Sequence, residues 1–278
     1  MEQIQKVAAI NDLSGYGKCS LTVAIPILSV FGLQCCPLPT AILSNHTGYE
    51  SFFFDDYTDK MESFFLEWRK LDLYFDCIYT GFLGSESQID LVQEFLQIFR
   101  KQAMLLVDPV MGDEGIIYST YSNAMCEKMK RLVSVADLIT PNLTEACILS
   151  GEVYQKEMEL RKIRQIAVRL YEMGAKQIVI TGIHQDAQIQ NYVYDGKNGE
   201  FVGTPSVPYQ YSGTGDVFAS VLCGYMLSGQ KLLSAVKKSA EFVYRATKYS
   251  HEMHAEKKNG ILFEKFLKEG FFQNEQPG

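Results

Sequence analysis

Tyr211-Ser212-Gly213-Thr214-Gly215-Asp216-Val217-Phe218-Ala219 is the stretch of this 278-residue chain that decides how the rest is read. Small residues open a tight turn, and a carboxylate follows where the apolar run Val217-Phe218-Ala219-Ser220-Val221-Leu222 begins a helix. The first turn of a helix has N–H groups without intrahelical acceptors and lies at the positive end of the dipole, so it attracts anions. A carboxylate beside such a site is well suited to taking a proton from a hydroxyl while a phosphoryl group is held nearby. Read alone, Gly-x-Gly-Asp is more simply a glycine turn in which Asp216 caps a helix, because short glycine motifs recur by accident. The rest of the chain changes that balance.

Upstream of this turn, short apolar runs alternate with longer helical patterns. Strands are expected at Val7–Ile10, around Leu33 to Leu43, and at Cys77–Thr80, Met104–Val107, Leu138–Thr140 and Gln177–Thr181. Helical spacing falls at about 20–31, 58–71, 87–102, 122–133, 144–150 and 157–173, then from Asp216 to about 250 and near 261–268. Continuous apolar strands separated by amphipathic helices imply an α/β fold with a mostly parallel sheet covered on both faces. Residues 191–207, with Asp195-Gly196-Lys197-Asn198-Gly199 between two β-rich arms, read as a small antiparallel hairpin. No repeat or linker is visible, so residues 1–278 are read as one domain with a frayed tail at 273–278.

Ligands of an open α/β sheet gather at the C-terminal ends of its strands, and the polar punctuation falls there. Asn11-Asp12-Leu13-Ser14-Gly15-Tyr16-Gly17 follows the first strand and reads as a flexible loop. Ser44-Asn45-His46-Thr47-Gly48-Tyr49 follows the second. Thr80-Gly81-Phe82, Asp108-Pro109-Val110-Met111-Gly112-Asp113, Thr140-Pro141-Asn142-Leu143-Thr144-Glu145 and Thr181-Gly182 follow the next four. Asp108, Asp113 and Glu145 would bring three carboxylates to one cleft, a hard-oxygen set suited to Mg²⁺ held with phosphates, with K⁺ as a second candidate cation. Each residue alone has a plainer reading: turn chemistry for Asp108 and Asp113, a capping box with Asn142 for Glu145. His46 either lines the pocket or braces its loop. His251 and His254 lack metal-site spacing, and no Gly-x-x-x-x-Gly-Lys-Ser/Thr loop is present.

Composition excludes other classes. The net charge of −7 disfavours a nucleic-acid partner. No apolar stretch reaches membrane-spanning length, and the first residues lack the apolar core of a signal peptide. Seven scattered cysteines without Cys-x-x-Cys spacing fit free thiols in a cytoplasmic protein.

Together these motifs resemble the ribokinase-like small-molecule kinases and, within them, the pyridoxal/pyridoxamine (vitamin B6) kinases. The resemblance runs from about Val7 to the helix after Asp216. Gly213-Thr214-Gly215-Asp216 is shared by the superfamily, whereas Ser44–Tyr49 looks like the B6-kinase pocket loop. The resemblance implies a three-layer α/β/α sandwich, ATP as phosphoryl donor, a B6 vitamer as acceptor, and a homodimer. It makes Asp216 the base and the Gly213–Gly215 backbone the hole for the transferred phosphoryl group. Asp12, Ser44, His46, Thr47 and Phe82 would surround the vitamer, and residues 12–17 would close over it. Asn142, Thr181 and Gly182 would contact ATP phosphates with Gly213 and Thr214. Asp113 would face Mg²⁺·ATP, and Asp108, Thr140 and Glu145 would form the cation cluster.

Two positions depart from the group's pattern. Phe82 stands where an aromatic hydroxyl is often found, and Asp12 where a Ser is familiar. Asp12 either accepts from the vitamer, favouring the cationic amine of pyridoxamine, or shapes its loop through an Asx turn. Competing readings are a hydroxymethylpyrimidine kinase, some dual-specific relatives of which carry Cys in place of Asp216, and a non-catalytic vitamer-binding regulator.

Overall fold

The computed structural model describes residues 4–208 and 210–271; the expected frayed tail lies outside them. In chain order the elements are β1 (Lys6–Tyr16), α1 (Ser20–Val30), β2 (Gln34–Asn45), β3 (Phe54–Asp56), α2 (Thr58–Lys70), β4 (Cys77–Thr80), α3 (Glu86–Phe99), β5 (Met104–Val107), β6 (Gly112–Asp113), β7 (Ile116–Ile117), α4 (Asn123–Val133) and β8 (Leu138–Ile139). They continue with α5 (Leu143–Ser150), α6 (Leu160–Met173), β9 (Ile178–Gln185), β10 (Gln188–Tyr194), β11 (Gly199–Pro205), α7 (Thr214–Leu227), α8 (Leu232–Glu252), a 3₁₀ turn (Lys257–Asn259) and α9 (Glu264–Phe271).

Nine strands form one sheet in the order β11-β10-β9-β8-β5-β4-β1-β2-β3. The six strands from β9 to β2 pair in parallel, and antiparallel strands flank them on both sides. Side-chain alternation sends one set of residues to each face. Ala8, Ile10, Ile78, Leu105, Val107 and Ile139 pack on α2–α6, with Met61, Phe65, Ile89, Phe95, Met129 and Ile163 among their partners. Val7, Cys77, Tyr79, Leu106, Leu138 and Val179 pack on α1, α7 and α8 through Ala24, Leu28, Phe218, Leu222 and Val236. Each large side chain so buried contributes roughly 1.5–3 kcal/mol. The result is the three-layer α/β/α sandwich.

The expected hairpin at 191–207 forms from β10 and β11. Its turn is fixed by Asp195 Oδ1, which accepts from the Lys197 and Asn198 N–H groups at 2.9 and 2.7 Å. Residues 12–16, read as a flexible loop, are instead strand. β2 is long enough to carry β1 onward, pairing Leu13 with Ile42 and Tyr16 with Asn45 after a register shift between Asn11 and Leu13. The continuous helix expected from Asp216 is broken at Gly229, whose φ of 78° ends α7 before α8 begins. Two features were not expected, the three-residue edge strand β3 and the β6–β7 hairpin. Glu114 (φ 49°) and Gly115 (φ 81°) turn that hairpin, two successive left-handed residues as a type I′ turn requires. Among the described residues no helix is long and apolar enough to cross a membrane.

Candidate active site

The decisive turn begins α7. Gly213 is its N-cap with φ 75°, and a Cβ there would stand 1.9 Å from the Lys18 carbonyl oxygen, so only glycine fits. Among the described residues no side chain caps this end, and the first intrahelical bond runs from Val217 N–H to Gly213 O. The N–H groups of Thr214, Gly215 and Asp216 thus form the anion-attracting end of a helix 14 residues long.

Asp216 lies at this end beside α1 and the end of β1. The Ser20 N–H donates to its carboxylate, and the Asn11 amide lies alongside. Desolvation pushes the Asp216 carboxyl up to about 7, and the negative charge of Asp12 adds to the rise. Asp12 is itself 6% exposed; Ser14 Oγ donates to its Oδ2 at 2.8 Å, and the Ser20 hydroxyl donates too. Burial raises its titration above the usual carboxylate range. Ser20 therefore touches both carboxylates, from a left-handed backbone (φ 51°) rare for a non-glycine residue. Strain of this kind concentrates at functional sites.

The loop after β2 is braced more than it is aimed at the cleft. His46 Nδ1 accepts from Gly48 N–H at 3.1 Å, which makes Nε2 the protonated nitrogen that donates to Lys258 O at 2.6 Å. Ser44 Oγ donates to Asn45 Oδ1 and accepts from Phe53 N–H. The Tyr49 hydroxyl donates to Asn259 Oδ1 at 2.6 Å, and its ring lies 5.9 Å from that of Tyr16. Of the two roles open to His46, the loop brace is realised. Thr47 is exposed, and Phe82 is half-buried with its N–H held by Asn11 Oδ1 and its carbonyl by Thr40 Oγ1.

On the other side of the strand ends, Asp108 (7% exposed) accepts from Thr140 Oγ1 at 3.0 Å. Glu145 (4% exposed) accepts from Met111 N–H at 3.1 Å and from Asn142 N–H at 2.8 Å. Asn142 accepts from Glu145 N–H in return, completing the capping box of α5, and donates to Gly112 O at 2.8 Å. The capping alternative is thus realised for this pair, and both ends of the Asn142 amide are engaged within the protein. Thr181 joins Asn142 through a backbone bridge, and Gly182 (φ 67°) faces open space. Asp113 is exposed on the β6–β7 hairpin, its Oδ1 held by Glu114 N–H at 2.9 Å.

Burial raises the Asp108 and Glu145 carboxyls, and mutual repulsion adds to it: Asp108 feels Asp216, while Glu145 feels Asp108 and Asp113. The Tyr118 hydroxyl, pushed up chiefly by burial, senses all of Glu145, Asp113, Asp108 and Asp216. Sequence reasoning missed Tyr118, Ser20 and Asn11. Only the polar Asn11-Asp12 pair ending an apolar run hinted at one of them. Among the described residues no three His, Cys, Asp or Glu side chains stand close enough to hold a metal ion by themselves. The repelling, desolvated carboxylates nevertheless fit a hard divalent cation that takes its remaining oxygens from phosphates and water.

The family model of the phosphomethylpyrimidine kinases matches residues 31–262. The chain belongs to that family. Within it, a Bacteroides thetaiotaomicron protein described as a candidate phosphomethylpyrimidine kinase is 39% identical, with a TM-score of 0.93 over 96% of this chain and 94% of its own. A second crystal form of it, with pyridoxal, is 38% identical with a TM-score of 0.91 over 96% of each chain. The pyridoxine/pyridoxal/pyridoxamine kinase of Bordetella avium is 27% identical across 86% of this chain and 83% of that enzyme. The bifunctional thiamine biosynthetic enzyme TH1 of Arabidopsis thaliana is 26% identical across 91% of this chain, which spans about half of that enzyme (49%). The chain is a phosphotransferase of the ribokinase-like superfamily.

Proposed function

We propose that the chain transfers the γ-phosphoryl group of ATP to the 5′-hydroxymethyl group of a B6 vitamer. The observation that carries this reading is Asp216, a buried carboxylate held by the Ser20 N–H at the N-terminal end of α7, its carboxyl pushed up to about 7 by burial. A base poised near neutral pH balances its ionised fraction against its proton affinity. In the reaction Asp216 removes the hydroxyl proton as the acceptor oxygen attacks the γ-phosphorus, and the bond to the β–γ bridging oxygen breaks, releasing ADP. The Gly213–Gly215 N–H groups meet the charge on the moving phosphoryl group. Mg²⁺, held by phosphate oxygens with Asp113 or the Asp108–Thr140–Glu145 group, would neutralise charge on the polyphosphate, and K⁺ is a second candidate there. Thr181, Gly182 and Asn142 flank the nucleotide phosphates. Asp12, Thr47 and Phe82 flank the vitamer, with Ser44 and His46 supporting the loop. Pyridoxal in the Bacteroides relative supports this acceptor. The reading extends to a single kinase domain over residues 1–278, acting as a cytoplasmic homodimer.

A second acceptor, hydroxymethylpyrimidine, is favoured by the family match itself. One assay separates the two: ATP-dependent phosphorylation of pyridoxal, pyridoxamine, pyridoxine and hydroxymethylpyrimidine with and without Mg²⁺, beside Asp216→Asn. Turnover of the vitamers, reduced on the order of 10²–10⁴ in the variant, is the expected result. Turnover of the pyrimidine alone would overturn the acceptor, and near-parental activity of Asp216→Asn would overturn the base.

A further inference from the structure

We propose that Asn11 is a positioning residue for Asp216: its otherwise unpartnered amide NH₂ and the Ser20 N–H face the carboxylate and orient it toward the acceptor hydroxyl. The inference rests on the reading of Asp216 as the base.

Asn11 is 1% exposed at the register shift in β1. Its Oδ1 accepts from the N–H groups of Asp12 at 3.0 Å and Phe82 at 2.8 Å, filling both lone pairs. A flipped amide would set its NH₂ against those two donors, so the orientation is fixed. Nδ2 must then point the other way, and space is kept for it: a Cβ on Gly81 would stand 2.2 Å from this nitrogen. Among the described residues buried Nδ2 has no partner at hydrogen-bond distance, an arrangement that calls for an explanation. Its neighbour is the Asp216 carboxylate, whose charged form it favours from one element while the Ser20 N–H favours it from another. Among the described residues the other titratable groups facing Asp216 are Asp12 on β1, Asp108 beyond β5, Tyr79 on β4, Cys19 ahead of α1 and Tyr118 after β7; none of them is cationic. Neutral donors are therefore what orient the base in its ionised form.

The test reads Asp216 directly, from the carboxyl ¹³C shift of aspartate-labelled protein, assigned by its loss in Asp216→Asn. In Asn11→Ala the midpoint, about 7 in the parent, is expected to rise by about one pH unit. In the vitamer assay kcat falls while KM for vitamer and ATP stays within roughly threefold. Asn11→Asp keeps an acceptor for Asp12 and Phe82 but sets a second buried acid against Asp216, so the Asp216 midpoint rises further and kcat at pH 7 falls. A merely structural role would lower stability without moving the Asp216 midpoint. An unmoved midpoint in Asn11→Ala, or parental kcat in Asn11→Asp, overturns the proposal. Failure of the functional reading is separately visible: the parent then phosphorylates no vitamer, while the NMR midpoint still decides whether Asn11 holds Asp216.

Discussion

Two glycines of one motif should respond oppositely to the same substitution. Gly213→Ala places a methyl group on a backbone with φ 75°, 1.9 Å from the Lys18 carbonyl oxygen and 3.0 Å from its carbon. The left-handed conformation costs an alanine about 1–2 kcal/mol. The clash is with backbone, so relief requires Lys18–Ser20 or the start of α7 to move, adding about 1–3 kcal/mol by analogy with overpacked cores. Gly215→Ala meets nothing within 4 Å and lies inside the first turn of α7. Replacing a helical glycine by alanine there stabilises by about 0.5–1 kcal/mol. Urea unfolding should place Gly213→Ala below the parent by roughly 2–5 kcal/mol and Gly215→Ala at or above it. Gly213→Ala should also lose turnover, because the displaced segment carries the Ser20 N–H that Asp216 accepts. Equal stability of the two variants would refute the geometric reasoning.

Stability should also depend on pH in an unusual direction. Asp216 and Asp108 both titrate near 7 in the folded protein, against 3.8 when unfolded. Between those values the folded state binds more protons, so stability falls as pH rises from about 4 to 7. For Asp108 alone, about three pH units at 1.36 kcal/mol each set an upper bound of about 4 kcal/mol; a urea midpoint that climbs from pH 5 to 8 would contradict this. Asp12→Ser should lower the pyridoxamine-to-pyridoxal ratio of kcat/KM about tenfold, the worth of one charge-assisted hydrogen bond. An unchanged ratio would return Asp12 to a purely structural role. Asn142→Ala removes both the α5 cap and the donor to Gly112, so about 1 kcal/mol of stability should go with protection of the Ile116 and Ile117 amides. Hydrogen exchange at those two amides that matches the parent would count against that link.

The central strands were legible because a sheet covered on both faces demands unbroken apolar runs, and Cys77–Thr80 and Met104–Val107 were delimited to the residue. The strand character of 12–16 was hidden because Gly15 and the neighbouring polar residues look like a loop, while the pairing comes from β2, some 30 residues away. β3 and the β6–β7 hairpin are too short to show any period. At the site, carboxylates could be read from their positions after strands, and the Asn142–Glu145 spacing announced its capping box. Ser20 could not: its importance lies in a left-handed backbone angle and two contacts made across the fold. The role of His46 was fixed by a carbonyl 212 residues later, which no local pattern encodes.

That long-range tie bears on how the protein folds. His46 reaches Lys258, Tyr49 reaches Asn259, Ser212 N–H reaches Lys257 O, and Lys18 pairs with Glu264 at 2.7 Å. The His46–Tyr49 loop and Lys18 are therefore latched by a segment 210 to 246 residues further along the chain. A refolding chain can complete much of its parallel sheet before these latches close. Contacts this distant in sequence form late. In refolding, these latches should therefore close well after most of the secondary structure is in place.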